Sequence, residues 1–138
     1  MKLFIDTSIF VDLLRSRQVE PSKSLFRSLQ DGSTGFASVI TVAELAVGAY
    51  RSPRSDALEK TLRLLSIVNV VDLNREIAVN GGRIYADLMK RGEEVELNDC
   101  LIAATSLSLG IEEIVTRDLD HFRRIEGIRA VTPEELGF

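Results

Sequence analysis

The sequence has few of the residues on which several common protein classes depend. Its 138 residues include one cysteine, Cys100, and one histidine, His121. A lone cysteine excludes an internal disulfide and is typical of a reducing cytosol, and a lone histidine argues against a Ser-His-Asp triad or a multi-histidine zinc site. No apolar run approaches the roughly 18 to 20 residues that span a bilayer, and Asp6 and Asp12 interrupt the N-terminal run before it reaches the length of a signal-peptide core. We therefore expect a cytoplasmic protein with no membrane segment.

The composition is that of one ordinary globular domain. The apolar fraction is 45% and the charged fraction 28%, which is far from the pattern of disordered chains. A net charge of -4 neither indicates nor excludes a nucleic-acid partner, because binding depends on where lysine and arginine cluster. We predict a single domain over residues 1–138, without repeats or linkers.

Apolar patterning predicts short strands that alternate with helices. The predicted strands are 2–5, 35–38 (GFAS), 66–73 (SIVNVVDL), 111–116 (IEEIVT) and one around 128–131 (IRAV). The predicted helices are 8–16 (SIFVDLLRS), 22–30, 40–50 (ITVAELAVGAY), 56–65, 74–90, 98–109 and a short one near 121–124 (HFRR). Asn80-Gly81-Gly82 is a hairpin signal in isolation, but apolar residues on both sides keep helical spacing, and glycines there allow another backbone to pack closely. The pattern predicts an α/β fold with three α/β/α layers and a central, mostly parallel sheet of four to five strands.

Four carboxylates interrupt apolar segments where the chain is expected to reach one edge of this sheet. Asp6 and Asp118 each follow a predicted strand, and Glu44 and Asp99 lie in the first turns of helices that start at the same edge. In an open parallel sheet, ligands bind beyond the carboxyl ends of the strands. We expect the four side chains to converge there.

Each acid also has a structural explanation, and the four explanations are unequally strong. Asp6 and Asp118 can cap helices, and Asp99 can offset the dipole of the helix that it opens. Glu44 has the weakest explanation, because it lies on an apolar face where it neither caps nor is readily solvated. That face is formed by Ile40, Ala43 and Val47.

Convergence of the four acids would require a cation. Like charges about 4 Å apart repel by roughly 4 kcal/mol per pair at an intermediate effective dielectric. Oxygen ligands without histidine or cysteine suit Mg²⁺ or Mn²⁺ better than zinc. Such an ion can orient and deprotonate a water and offset charge on a phosphodiester, so the predicted chemistry is hydrolysis of a phosphate ester.

Four sequence strings carry a family resemblance across nearly the whole chain. In order along the sequence they are FIDTSIFVDLL, SVITVAELAVGA, LNDCLIAATSL and IVTRDLDHFRRI. Together they resemble PIN-domain ribonucleases, and the length and the N-terminal IDTS are most similar to the VapC toxins of toxin-antitoxin pairs. The resemblance implies a magnesium- or manganese-dependent endoribonuclease inhibited by a cognate antitoxin. It also implies a homodimer, a toxin-antitoxin hetero-oligomer, and DNA binding only through the antitoxin.

The resemblance also implies roles for individual residues. The four acids would be both the metal ligands and the catalytic set, with Asp6 and Asp99 as principal ligands completed by Glu44 and Asp118. Neighbouring hydroxyl groups would orient a ligand or a water, and they belong to Thr116, Thr7 and Ser8; capping explains Ser8 equally well.

The remaining polar residues have less specific interpretations. Arg117 is the preferred RNA contact because it adjoins the fourth acid, and Arg15 belongs to a set of basic residues near the ends of the first three helices that can track phosphates. Scattered surface charge explains that set as well. We expect His121 on a helix surface and Cys100 packed and unreactive.

Other functions compete with the nuclease. Haloacid-dehalogenase-like phosphatases require a second acid two residues after the first, where this chain has Ser8. Phospho-receiver domains require a lysine at the end of a late strand, and this chain has no lysine there. The serious alternative is a non-catalytic, metal-binding PIN module that acts with its antitoxin as a DNA-binding autoregulator.

Overall fold

The computed structural model describes residues 1–15, 17 and 19–138 and shows strands alternating with helices. The strands are Lys2–Ile5 (β1), Thr34–Ser38 (β2), Asn69–Val71 (β3), Glu113–Val115 (β4) and Arg129–Val131 (β5). The helices are Thr7–Leu14 (α1), Glu20–Gln30 (α2), Val39–Arg51 (α3), Ala57–Leu65 (α4), Arg75–Lys90 (α5), Leu97–Ser108 (α6) and Leu119–Arg123 (α7), followed by a 3₁₀ turn, Glu134–Leu136. The predicted order of elements is confirmed; Ser16, the last residue of the predicted first helix, lies outside the described residues. In the part of the chain that the structure describes, no helix is both long and apolar enough to cross a membrane.

The sheet is parallel throughout, with the strand order β3-β2-β1-β4-β5. The prediction of a mostly parallel sheet of four to five strands is confirmed. β1 lies at the centre, so the residue that follows it emerges in the middle of the carboxyl edge. β2 and β4 flank it, and the segments after these strands therefore reach the same edge.

Helices cover both faces of the sheet because side chains of a strand alternate between the faces. In β1, Leu3 and Ile5 join a core with α1, α2, α3 and α4, whereas Phe4 joins a second core with α5, α6 and α7. All three side chains are at most 2% exposed. The predicted three-layer α/β/α architecture is thus confirmed.

The glycine pair predicted to lie inside a helix does so, in α5. A Cβ atom built on Gly81 would lie 2.6 Å from Leu101 Cδ2 and 3.3 Å from Leu101 Cα in α6, whereas one built on Gly82 would meet nothing within 4 Å. Gly81 is therefore the position that lets the two helices approach. The close α5–α6 packing holds α6, and with it Asp99, against the sheet.

Candidate functional site

Asp6 lies at the centre of the carboxyl edge, between β1 and α1. Its Oδ2 atom accepts hydrogen bonds from the Ser8 hydroxyl at 2.7 Å, the Thr116 hydroxyl at 2.8 Å and the Ser8 amide at 3.3 Å. Asp6 is the N-cap of α1, so the capping explanation is correct, but it accounts for only one of these contacts. Burial raises the pKa of Asp6 and the Asp118 charge raises it further, while the hydroxyl donors lower it. The site therefore holds a carboxylate where its charge is costly.

Glu44 reaches the same edge from the middle of α3. Its Oε1 atom accepts a hydrogen bond of 2.7 Å from the Thr7 hydroxyl, which lies 2.9 Å from the Thr41 hydroxyl oxygen. The prediction that Glu44 shares a buried apolar face is wrong, because Ala43 and Val47 are exposed. The helix instead buries the stripe that carries Thr41, and Glu44 lies at the boundary of that stripe, where it faces a surface depression.

Asp99 is held in the first turn of α6 beside the only histidine of the chain. His121 Nδ1 lies 3.2 Å from Asp99 Oδ2. Burial and the negative charge of Asp6 raise the pKa of Asp99 to about 6, with a further rise from Glu44, whereas His121 lowers it. We predicted His121 on a helix surface; it is about half exposed but also contacts the site. The signal was its spacing of three residues from Asp118, which puts both on the same side of the short helix α7.

Asp118 lies just before α7 with an exposed side chain. It occupies the N-cap position of α7. The structure describes every residue of this helix, and the Asp118 side chain makes no capping hydrogen bond in it. Its amide donates to the Thr116 hydroxyl at 2.9 Å. The capping explanation for Asp118 is therefore wrong, and its carboxylate is left facing the depression.

All four acids line one depression of about 320 Å³ at the carboxyl edge of the sheet. The full lining is Asp6, Thr7, Ser8, Val11, Asp12, Arg15, Glu44, Asp99, Arg117 and Asp118. The predicted convergence of the acids is thus a feature of the fold, and Thr7 and Ser8 accompany them. Thr116 is completely buried behind the depression and reaches it through Asp6.

The donor set fits a hard divalent cation. Burial raises the pKa of Asp99, and the negative charges of Asp6 and Glu44 raise it further, as nearby like charges do. Among the described residues, no three histidine, cysteine, aspartate or glutamate side chains are already gathered closely enough to hold an ion. Mg²⁺ usually takes one or two protein carboxylates and keeps several waters, so a complete protein cage is not required.

Arg117 does not extend towards solvent as an RNA contact should. Its guanidinium donates to Asp12 at 2.8 Å, to both carboxylate oxygens of Glu134 at 2.7 and 2.8 Å, and to Ser22 at 3.2 Å. Burial lowers the pKa of Arg117, but the hydrogen bonds and charges of Glu134 and Asp12 leave it above its ordinary value. These contacts with protein carboxylates disfavour the predicted RNA contact at Arg117, whereas Arg15 is exposed at the rim of the depression.

Asp12 is the site residue that sequence reasoning missed. It is 3% exposed and lies on the buried stripe of α1 with Ile9 and Leu13. The signal was available: Asp12 follows Ile9 by three residues, so it falls on the apolar face of the helix. A carboxylate there needs a buried cationic partner.

The chain belongs to the PIN domain family, whose model matches residues 3–128. It is 32% identical over 130 residues to ribonuclease VapC2 of Haemophilus influenzae (strain ATCC 51907 / DSM 11121 / KW20 / Rd), covering 94% of this chain and 96% of that protein. It is 31% identical over 133 residues to the tRNA(fMet)-specific endonuclease VapC of Salmonella typhimurium, again with 94% and 96% coverage. Among solved structures, DNA-bound VapBC from Salmonella typhimurium matches with a TM-score of 0.78 and 29% identity, over 96% of this chain and 98% of that chain.

Proposed function

We propose that this chain is a divalent-metal-dependent endoribonuclease that acts in the cytoplasm as the toxin of a toxin-antitoxin pair. The observation that carries the proposal is the depression in which Asp6, Glu44, Asp99 and Asp118 meet. These acids come from four separate segments of the chain and line the same depression. The VapC ribonucleases that the chain resembles along nearly their whole length support the same reaction.

Each acid has a distinct part in the proposed reaction. Asp6 and Asp99 would be the principal ligands of Mg²⁺ or Mn²⁺, and Glu44 and Asp118 would complete the acidic set. A bound ion would supply Lewis acidity at the scissile phosphate and lower the pKa of a water. Hydrogen bonds from Ser8 and Thr116 fix the Oδ2 atom of Asp6, so its other oxygen would be the one to bind the ion.

The substrate contacts begin at Arg15. It is exposed and lines the same depression as the acids, so its guanidinium can bind an RNA phosphate next to the one that is cleaved. The Salmonella relative is named for its action on tRNA(fMet), which makes initiator tRNA the first defined substrate to test. The RNA that this chain selects is set by surface shape around the depression.

The antitoxin has a fitting surface next to the site. A groove of about 820 Å³ runs between α1, α2 and α4. Its apolar floor is formed by Leu13, Leu14, Phe26, Leu64 and Ile67, and its cationic rim by Arg15, Lys23, Arg27, Arg54, Lys60 and Arg63. An acidic amphipathic helix matches both features. Because Arg15 lines the groove and the depression, a segment bound there would block RNA.

This partner assignment has a direct test. Lys60→Glu reverses a charge on the rim of the groove, and Lys90→Glu reverses one at the exposed end of α5, on the other side of the sheet. We expect Lys60→Glu to weaken binding of the antitoxin by placing an unfavourable charge on the rim of the groove, and Lys90→Glu to leave that binding unchanged. Equal effects would place the antitoxin on another surface.

A second candidate is a non-catalytic member of the same family that binds metal and regulates DNA with its antitoxin. The observation in its favour is the DNA-bound complex of the Salmonella relative. We expect DNA to be contacted through the antitoxin, within a hetero-oligomer built on a toxin homodimer. The presence of all four acids favours the nuclease, because it argues against decay of the catalytic site.

The deciding experiment is cleavage of total RNA by antitoxin-free protein. Wild type is incubated with Mn²⁺, with Mg²⁺ and with a chelator, beside Asp6→Ala. Discrete fragments that require metal and vanish in the variant support the nuclease and identify the RNA to sequence. Intact RNA in the presence of folded, metal-binding wild type would favour the regulatory module.

A further inference from the structure

The ion-pair cluster beside the acidic depression links four segments of the fold. Arg117 lies on the loop between β4 and α7, Asp12 on α1 and Ser22 on α2, and Glu134 belongs to the C-terminal 3₁₀ turn. The Ser22 hydroxyl donates to Asp12 Oδ2 at 2.7 Å, the oxygen that also accepts from Arg117 Nε. The guanidinium is therefore held on several sides by partners from separate elements.

The loop that carries Arg117 is also the loop that holds the site. On one side of Arg117, Thr116 donates to Asp6; on the other is Asp118 itself. The main-chain amide of Arg117 donates to the Ser8 hydroxyl at 2.9 Å, and that hydroxyl donates to Asp6. Of the three consecutive residues 116–118, the first two thus hold the Asp6 carboxylate in place, directly or through Ser8, and the third is the fourth acid.

We infer that Asp12 and Arg117 are positioning residues for the nuclease reaction: their buried ion pair fixes the loop 116–118 against α1 and so sets Asp6 and Asp118 in place. The inference rests on the proposed function. The geometry of the guanidinium explains the choice of arginine, because its planar fork donates to Asp12 and Glu134 from separate nitrogens, whereas an ammonium group carries all its donors on one nitrogen. Asp12 also lines the depression, but it is 3% exposed and its Oδ2 atom accepts from both Ser22 and Arg117, so we place its effect on cleavage in the loop that it holds.

The inference predicts the same loss of turnover when either member of the ion pair is replaced, although the two side chains differ in exposure. Asp12→Asn and Arg117→Gln should each lower kcat by about 10- to 100-fold, the usual cost of losing a partner that orients a ligand. KM for RNA should stay unchanged, because neither side chain is proposed to bind RNA. The double variant should be no worse than the stronger single variant, since both break one linkage.

One further measurement separates positioning from simple stabilisation. Affinity for Mn²⁺, measured by calorimetry in the absence of RNA, should fall by about tenfold or more in both variants. All proteins are assayed well below their melting temperatures, with kcat normalised to the folded fraction, and Arg83→Gln serves as a control that breaks an exposed ion pair with Asp87 on α5. That control should match wild type in kcat, KM and Mn²⁺ affinity.

Arg117→Lys is the variant that keeps charge and fold if the others unfold. It should retain the kcat defect of at least about tenfold, because the single nitrogen of lysine cannot reproduce the separate contacts that Nε and Nη1 make with Asp12 and Glu134. If arginine instead bound RNA, lysine would restore activity, Arg117→Gln would raise KM and lower the salt dependence of RNA binding, and Asp12→Asn would match wild type. Any of those results would overturn the inference.

The remaining outcomes are also decisive. Lowered melting temperatures with unchanged kcat and Mn²⁺ affinity would show that the ion pair only stabilises the fold, which contradicts positioning. If wild type cleaves no RNA, the proposed function fails, and the Mn²⁺ affinities of Asp12→Asn and Arg117→Lys still decide whether this ion pair positions the acids.

Discussion

Replacing Asp99 with asparagine should stabilise the metal-free protein at neutral pH. The pKa of Asp99 rises from 3.8 to about 6 on folding, first through burial and then through the charge of Asp6. A carboxyl whose pKa is raised by folding contributes its full stability below the unfolded value, and that stability is lost as the pH rises through the folded value. At pH 7.5 the charged Asp99 therefore opposes folding, and asparagine removes the charge while keeping the side-chain shape.

The size of the effect follows from these values. Each pH unit between the two pKa values is worth about 1.4 kcal/mol, so the upper limit is about 3 kcal/mol. The Asp99 side chain is 14% exposed, and solvent screening reduces the gain. The favourable interaction of a carboxylate with the N-terminus of α6, worth roughly 0.3–1 kcal/mol, is also lost. We expect a net stabilisation of about 1–2 kcal/mol, or a melting temperature higher by about 3–8 °C.

Thermal unfolding in a chelator at pH 4 and pH 7.5 measures this directly. The difference between Asp99→Asn and wild type should be near zero at pH 4 and largest at pH 7.5. Added Mn²⁺ should stabilise wild type by mass action and the variant much less. Asp87→Asn, which removes an exposed carboxylate on α5, is the control and should stay within about 0.5 kcal/mol of wild type at both pH values.

The opposite result would refute the electrostatic account of the depression. If Asp99→Asn lowered the melting temperature by several degrees at both pH values, the carboxylate would be stabilising the N-terminus of α6, and repulsion from the neighbouring acids would not be the dominant effect. The raised pKa of Asp99 would then have no energetic consequence, and the argument that the acids require a cation would lose its support.

Three further predictions test other parts of the fold. Gly81→Ala should be less stable than Gly82→Ala by at least about 1 kcal/mol in denaturant unfolding, because only the first adds a Cβ against α6, and equal stabilities would contradict the close packing there. Thr116→Val should lower kcat for RNA by about 10- to 100-fold by removing a donor to Asp6; unchanged turnover would show that this hydrogen bond does not matter. Cys100 should resist alkylation at pH 8 until the protein unfolds, since burial and the nearby Asp99 charge raise its pKa to about 11, and rapid labelling of the native protein would disprove its burial.

The fold was predictable because its signals are local. Apolar runs of four to five residues and helical spacing located the elements, and alternation of strands with helices implied the parallel sheet. Even Asn80-Gly81-Gly82 was assigned correctly, since the surrounding apolar spacing outweighed the turn propensity of the glycines. The ends of the elements were less accurate: β3 was predicted over residues 66–73 and spans only Asn69–Val71.

The site was only partly predictable, because its hydrogen bonds join residues far apart in sequence. Strand ends located Asp6 and Asp118, but the assumed buried face of α3 was wrong for Glu44, since helical periodicity alone does not say which stripe meets the sheet. The side chain of Arg117 has its partners 105 and 17 residues away, in Asp12 and Glu134. The position of Arg117 next to Asp118 in the sequence suggested that it contacts RNA. Only the three-dimensional structure shows that its guanidinium is hydrogen-bonded to protein carboxylates.

The most direct test of the central claim compares two acids at the start of one helix. Asp118 lines the depression, whereas Asp120, two residues later, is exposed and does not. Single-turnover cleavage with Mn²⁺, on an RNA identified from the total-RNA digest, is measured for Asp118→Asn and Asp120→Asn, which make the same change of charge. The account predicts that Asp118→Asn is slower by about 10- to 100-fold or more and that Asp120→Asn matches wild type. Equal rates in the two variants would contradict a catalytic role for the acidic depression.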